Sequence, residues 1–140
     1  MNSRLDTVQA AILLEKLEAF PQELRNRNNI ATLYSKLLKG GISIPKIKQG
    51  YLSSWAQYTL RSKNREVCMD KLKENGIPSV VYYGKCMHQQ TAFIELGYTD
   101  TDFPVAVMLA KNVFSLPMHP YIMEDSITKV SQHLIDILKD

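Results

Sequence analysis

Residues able to do chemistry gather at three places in the chain: "NSR" at 2–4, "YYGKCMHQQ" at 82–90 and "SLPMHPY" at 115–121. Each mixes polar or aromatic groups with turn formers, as in loops that rigid elements present to a ligand. An Asn and an Arg at the head of a helix suit a phosphate, because helix N-terminal amides and a guanidinium fork both favour anions. The same residues suit a helix cap, with Asn2 or Ser3 satisfying the first amides. Tyr82 and Tyr83 are consecutive, so on a strand they face opposite sides. One can then fill the core while the other reaches a ligand, or both can fill sheet faces. His119 lies between Pro117 and Pro120, which fix the backbone around it, either as a ligand contact or as a turn residue.

Beyond these clusters no self-contained catalytic set is present. The three histidines, His88, His119 and His133, form no HxxxH pair, and His133 reads as a surface residue of the last helix. No Gly-x-Ser-x-Gly elbow, phosphate loop or Gly-rich dinucleotide turn occurs, so no catalytic residue and no metal ligand is assigned. Cys68 and Cys86 are 18 positions apart without a CxxC, which supports neither zinc nor redox chemistry and fits free thiols in a reducing compartment. A net charge of +3 and the lack of a basic-aromatic stripe argue against nucleic acid as a partner. No apolar run reaches the roughly 20 residues that span a bilayer, and the N-terminus lacks a signal-peptide layout, so a cytoplasmic protein is expected.

The elements that must position the clusters follow from periodicity. With 140 residues, 45% of them hydrophobic and 22% charged, the chain suits one ordinary globular domain. A first helix is expected from Ser3 to Phe20, interrupted by Pro21, and a second through Leu38 to the Gly40-Gly41 stop, making an angled helical pair. In the first, Leu5, Val8, Ala10, Ala11, Ile12, Leu13, Leu14 and Leu17 cover most of the circumference, which calls for burial. In the second, "RNRNN" at 25–29 reads as a solvated face. After a Pro/Gly linker, "WAQYTLR" at 55–61 reads as a strand, 63–74 as a helix stopped by Asn75-Gly76, and "IPSVVYY" at 77–83 as a buried strand. A short helix over 87–98 ending at Gly97, a helix over 103–114 with Pro104 in its first turn, and a strand at Val113–Leu116 come next. The last helix carries Ile127, Val130, Leu134, Ile137 and Leu138 on one face. The fold class is therefore α/β (α+β): a small, mainly antiparallel sheet covered by helices and preceded by the helical pair.

Five ordered stretches carry a family resemblance: "NSRLDTVQAAILLEKL", "SSWAQYTLR", "GIPSVVYYGKCMHQQTAF", "LGY" and "FPVAVMLAKNVFSLPMHPYI". Together they resemble the C-terminal part of the DegT/StrS-type sugar aminotransferases, fold-type-I pyridoxal-phosphate enzymes. The resemblance implies a transfer of an amino group, typically from glutamate, to a nucleotide-linked keto-sugar. It implies a homodimer with the active site at the subunit interface. Asn2 would bond the cofactor phosphate of the neighbouring subunit and Arg4 would reach the anionic nucleotide-sugar. Tyr82 and Tyr83 would lie near the substrate, His88 would follow as the family's "LH" histidine, and His119 would serve loop geometry.

In that family the lysine that binds the cofactor, the acidic partner of the pyridine nitrogen and the stacking aromatic ring belong to a large N-terminal domain. The chain is thus expected to be a C-terminal segment or truncated chain, inactive by itself. Residues 1–40 would link to the cofactor domain, and residues 41–140 would form the small C-terminal domain. The family usually has prolines in the segment written here as "YYGKCMH", so Gly84 and Cys86 imply a more flexible loop, and Val107 stands at an exposed helix position where glutamate is common. Two other readings compete: a sugar dehydratase of the same family, and a stand-alone regulatory module that dimerises through its apolar first helix.

Overall fold

In the computed structural model, residues 5–139 are described. Asn2, Ser3 and Arg4 therefore lie outside the described residues. The first element, α1 (Thr7–Leu37), is a single helix of 31 residues with Pro21 inside it, not the expected pair. Pro21 removes one donor, leaving the Leu17 carbonyl without its intrahelical partner. Pro21 and Leu17 are both exposed, so water can take that carbonyl, and the flanks "AAILLEKLEA" and "QELRN" are rich in strong helix formers. The helix also starts later than expected, because Asp6 is its cap: the Asp6 carboxylate accepts the Gln9 N–H at 2.8 Å.

Two four-residue strands, β1 (Tyr58–Arg61) and β2 (Val113–Leu116), pair antiparallel with Tyr58 opposite Leu116 and Arg61 opposite Val113. Between them come α2 (Arg65–Glu74), two 3₁₀ turns (Met87–Gln89 and Thr91–Leu96) and α3 (Pro104–Asn112), and the chain closes with α4 (Glu124–Ile137). Pro104 opens α3, and Gly97 ends the second 3₁₀ turn at a φ of 72°, a left-handed value that favours glycine. Val107 of α3 and His133 of α4 are half-buried, not surface residues.

The expected strand at 77–83 shrinks to one rung. Val80 exchanges both backbone hydrogen bonds with Ser115, at 3.1 and 2.8 Å, on the edge of β2 opposite β1. The same register sets Pro78 opposite Pro117, and neither has an N–H to donate. In the other direction it reaches Val113, where α3 has only just ended. The rung cannot propagate either way.

The core lies between this sheet, the C-terminal half of α1, α2 and α4. Tyr34, Tyr58, Leu60, Leu72, Phe114 and Leu134 are fully buried at its centre. Ile127, Val130 and Leu134 of α4 pack inward as their spacing predicts, while Ile137 and Leu138 pack half-buried at its end. Tyr34 stacks on Tyr58 at 5.0 Å between ring centroids, and Trp55 tilts against Tyr58 at 5.6 Å. Burial pushes both tyrosine hydroxyls up from their ordinary pKa, so they serve as neutral groups: Tyr34 donates to the Pro117 carbonyl at 3.1 Å, and Tyr58 shares a hydrogen bond with Ser35 at 2.9 Å.

Candidate functional site

Two of the three clusters are described, and both are loops anchored to this core. The segment "SSW" at 53–55 and the loop "SLPMHPY" are pinned to α1 by residues that sequence reasoning assigned to solvent. The Arg27 guanidinium donates to the Trp55 carbonyl at 3.0 Å and to the Met118 carbonyl at 3.4 Å. Asn28 accepts the Trp55 indole N–H at 3.0 Å and donates to the carbonyls of Leu24 and Ser53. Within "RNRNN", then, Arg25 and Asn29 are exposed as expected, but Arg27 and Asn28 are half-buried clamps. Trp55 needs them, because its φ of 48° is a left-handed value unusual for a bulky residue. A composition rich in Arg and Asn gave no signal of this, since both types are equally at home in water.

His119 is exposed, and its Nδ1 accepts the Tyr121 N–H at 3.3 Å, a local bond that shapes the loop. Tyr121 in turn donates its hydroxyl to the Glu23 carboxylate, which tethers the loop to α1 and raises the phenol's pKa.

In the other cluster, Tyr82 and Tyr83 are 55% and 73% exposed, so neither fills the core. They border a shallow cleft beside Gln57, Thr59 and Val113 of only about 30 Å³. That space does not enclose a sugar ring, whose remaining walls would have to come from elsewhere. His88 behaves oppositely: it is 9% exposed, its ring lies 5.0 Å from that of Phe103, and its Nε2 is 3.0 Å from Asp100 Oδ1. The hydrogen bond from His88 and a second from Gln89 hold the Asp100 carboxyl below the usual aspartate pKa, so it is an acceptor and Nε2 carries the proton. Beside His88, a cavity of about 360 Å³ is walled by Met87, Phe93, Leu96, Tyr98 and Phe103, an almost wholly apolar lining. Asp100 and Phe103 escaped sequence reasoning, with the turn-forming "GYTDTD" at 97–102 as the available signal, while Gln89 lay within the 82–90 cluster without a role of its own.

Pyridoxal phosphate requires an amine to bind its aldehyde, an acid at its ring nitrogen and donors for its phosphate. Among the described residues every lysine except the half-buried Lys71 of α2 is exposed, and the apolar cavity beside His88 offers neither an amine nor a set of phosphate donors. Nor, among the described residues, do three His, Cys, Asp or Glu side chains converge as metal ligands. No helix of the described residues is long and apolar enough to cross a membrane. Asn2 and Arg4, the expected phosphate and substrate contacts, lie outside the described residues.

The architecture is that of fold-type-I aminotransferases. A DegT/DnrJ/EryC1/StrS aminotransferase from Brucella abortus superposes with a TM-score of 0.89 at 42% identity, over 96% of this chain and 36% of that one. The S. venezuelae protein DesV superposes with a TM-score of 0.95 at 26% identity, over 100% of this chain and 38% of that one. The sequence pattern of the DegT/DnrJ/EryC1/StrS aminotransferase family matches residues 1–135, and the chain belongs to that family. Enzymes of the family depend on pyridoxal phosphate. Among curated relatives, the UDP-2-acetamido-2-deoxy-3-oxo-D-glucuronate aminotransferase of Pseudomonas aeruginosa is 44% identical over 128 residues, 91% of this chain and 35% of the relative. The chain thus spans about a third of the length of the proteins it matches.

Proposed function

We propose that this chain is the C-terminal part of a pyridoxal-phosphate-dependent aminotransferase that moves an amino group from glutamate to a nucleotide-linked keto-sugar in the cytoplasm. The observation that carries the reading is the family match over residues 1–135 together with 44% identity to an enzyme acting on a UDP-linked 3-oxo sugar. The cofactor supplies the electron sink for amino transfer. This chain's own residues supply binding and shape. Asn2 would bond the cofactor phosphate across a homodimer interface, Arg4 would pair with the nucleotide-sugar anion, and Tyr82 and Tyr83, which are exposed on an anchored loop, would wall the substrate. His88 stands behind that loop, its Nε2 already engaged.

The exposed apolar half of α1 fits the same reading. Val8, Ile12, Leu13, Leu14, Leu17 and Phe20 of α1, and Leu5 just before it, are each at least half exposed, and such a helix needs cover on more than one side. In a complete enzyme that cover would be the remainder of the protein, in the same or the neighbouring subunit. Residues 1–40 would then act as the link to the cofactor domain and residues 41–140 as the small domain. By itself the chain would not transaminate, because the lysine that holds the cofactor in this reading belongs to the large N-terminal domain.

The test begins with the reading frame upstream of Met1, which should encode a cofactor lysine shortly before a Gly-rich turn and, earlier, an Asp for the pyridine nitrogen. The product of that longer frame, given glutamate and a UDP-linked 3-keto sugar, should release 2-oxoglutarate. An in-frame stop, or no 2-oxoglutarate from a protein loaded with cofactor, would overturn the reading. In the same protein Asn2→Ala should weaken cofactor retention on gel filtration; unchanged retention removes Asn2 from the site.

A further inference from the structure

The loop carrying Tyr82 and Tyr83 includes the flexible Gly84, yet its far end is not loose. Gln89 accepts the Cys86 N–H on Oε1 at 3.0 Å and donates from Nε2 to Asp100 Oδ1 at 2.7 Å. His88 donates from Nε2 to the same oxygen at 3.0 Å. Asp100 sits in a closed turn, because the Asp102 carboxylate accepts both the backbone N–H and the hydroxyl of Thr99, at 2.7 and 2.9 Å. Phe103, just after that turn, contacts the His88 ring at 5.0 Å and the Tyr98 ring at 5.3 Å. One carboxylate therefore gathers two neighbouring side chains of the 82–90 loop and ties them to a separate, self-braced turn.

We propose that Asp100 is a positioning residue: through His88 and Gln89 it clasps the 82–90 loop so that Tyr82 and Tyr83 are presented to the nucleotide-linked keto-sugar. The proposal rests on the aminotransferase reading above. The clasp fixes side chains of the loop from outside it, through hydrogen bonds to one carboxylate. It acts at a distance from the reacting carbon and so bears on substrate binding.

The Asp100 side chain is 55% exposed, so its replacement is compatible with folding. In the complete enzyme, Asp100→Ala is expected to raise KM for the UDP-linked keto-sugar roughly five- to tenfold, as befits the loss of hydrogen bonds to an ionised acceptor, with kcat and KM for glutamate held. Asp100→Asn keeps an acceptor oxygen in place and should return KM most of the way. In the 140-residue chain, Asp100→Ala should speed hydrogen exchange at the Cys86 amide. Unchanged KM would overturn the proposal even where exchange accelerates, since the clasp would then hold the loop without serving substrate; unchanged exchange and unchanged KM would remove the clasp altogether. A wild-type enzyme that consumes no keto-sugar would instead sink the functional reading, and the positioning role with it, whatever the variant does.

Discussion

Within α1, the stretch from Val8 to Phe20 and the stretch from Ile30 to the capping Leu38 are both rich in large apolar residues, but they touch different things. Leu17 is 65% exposed and Leu38 is 1% exposed. The second stretch meets β1, α4 and the aromatic stack of Tyr34, Tyr58 and Trp55; the first meets nothing among the described residues that buries it. Apolar content signals that a surface wants cover, but burial itself depends on whether another element of the same domain lies across it. Both stretches share one hydrogen-bonded rod, so the exposed half keeps its helical form while it lacks the packing that would fix its stability.

The sharpest test of this contrast is on the packed side. Phe114→Ala should cost about 3–5 kcal/mol in urea unfolding, the range for a large aromatic removed from a filled core. Pro21→Ala probes the other side: it restores a helical donor worth up to about 3 kcal/mol locally. We expect it to slow amide exchange in the exposed half with little change in the global unfolding midpoint. A midpoint that rises by the full amount would mean that the two halves unfold as one unit. Asn28→Ala should cost about 1–3 kcal/mol, because it strands the Trp55 indole N–H beside a left-handed backbone.

Leu14→Ala should change unfolding by no more than about 0.5 kcal/mol. A cost approaching that of Phe114→Ala, rising with protein concentration, would break the comparison by showing that the exposed half is covered in solution. The smallest effect concerns Asp100. Hydrogen bonds from His88 and Gln89 lower its folded pKa below the ordinary 3.8, so the stabilisation is fully present above pH 3.8. It declines below that value and is gone once the folded carboxyl protonates. The difference in melting temperature between wild type and Asp100→Asn should therefore close as pH falls through this window.

Elements with a strong local signature were legible. The amphipathic α4, the Pro104 start of α3, the strand at Val113–Leu116 and the stop at Gly97 all stand where periodicity and turn chemistry put them. The 55–61 strand and the 63–74 helix are present but shorter. The segment at 77–83 looked like a strand because Val, Ile and Tyr favour one, but a strand needs a partner with free donors, and β2 runs out between a helix end and Pro117. Pro21 looked like a helix boundary because proline removes a bond, but at a solvated position that loss is tolerable. Of the candidate site, Tyr82, Tyr83 and His88 were picked out from their types and order. Asp100, Arg27 and Asn28 were not, and Gln89 lay in a singled-out cluster without a role, since nothing local marks a polar residue that finds its partner through space.

The order of the five motifs was enough to place the chain in its family, because motif order is a property of the covalent sequence. Local propensity likewise set α2, α3 and α4 and the glycine stop at Gly97. Which half of α1 is buried, why His88 is enclosed while Tyr82 and Tyr83 stand in solvent, and which carboxylate ties the loop were decided only by tertiary structure. Burial and long-range hydrogen bonds depend on which surfaces meet, and residues 88 and 100 or 27 and 118 become neighbours only when the chain has folded.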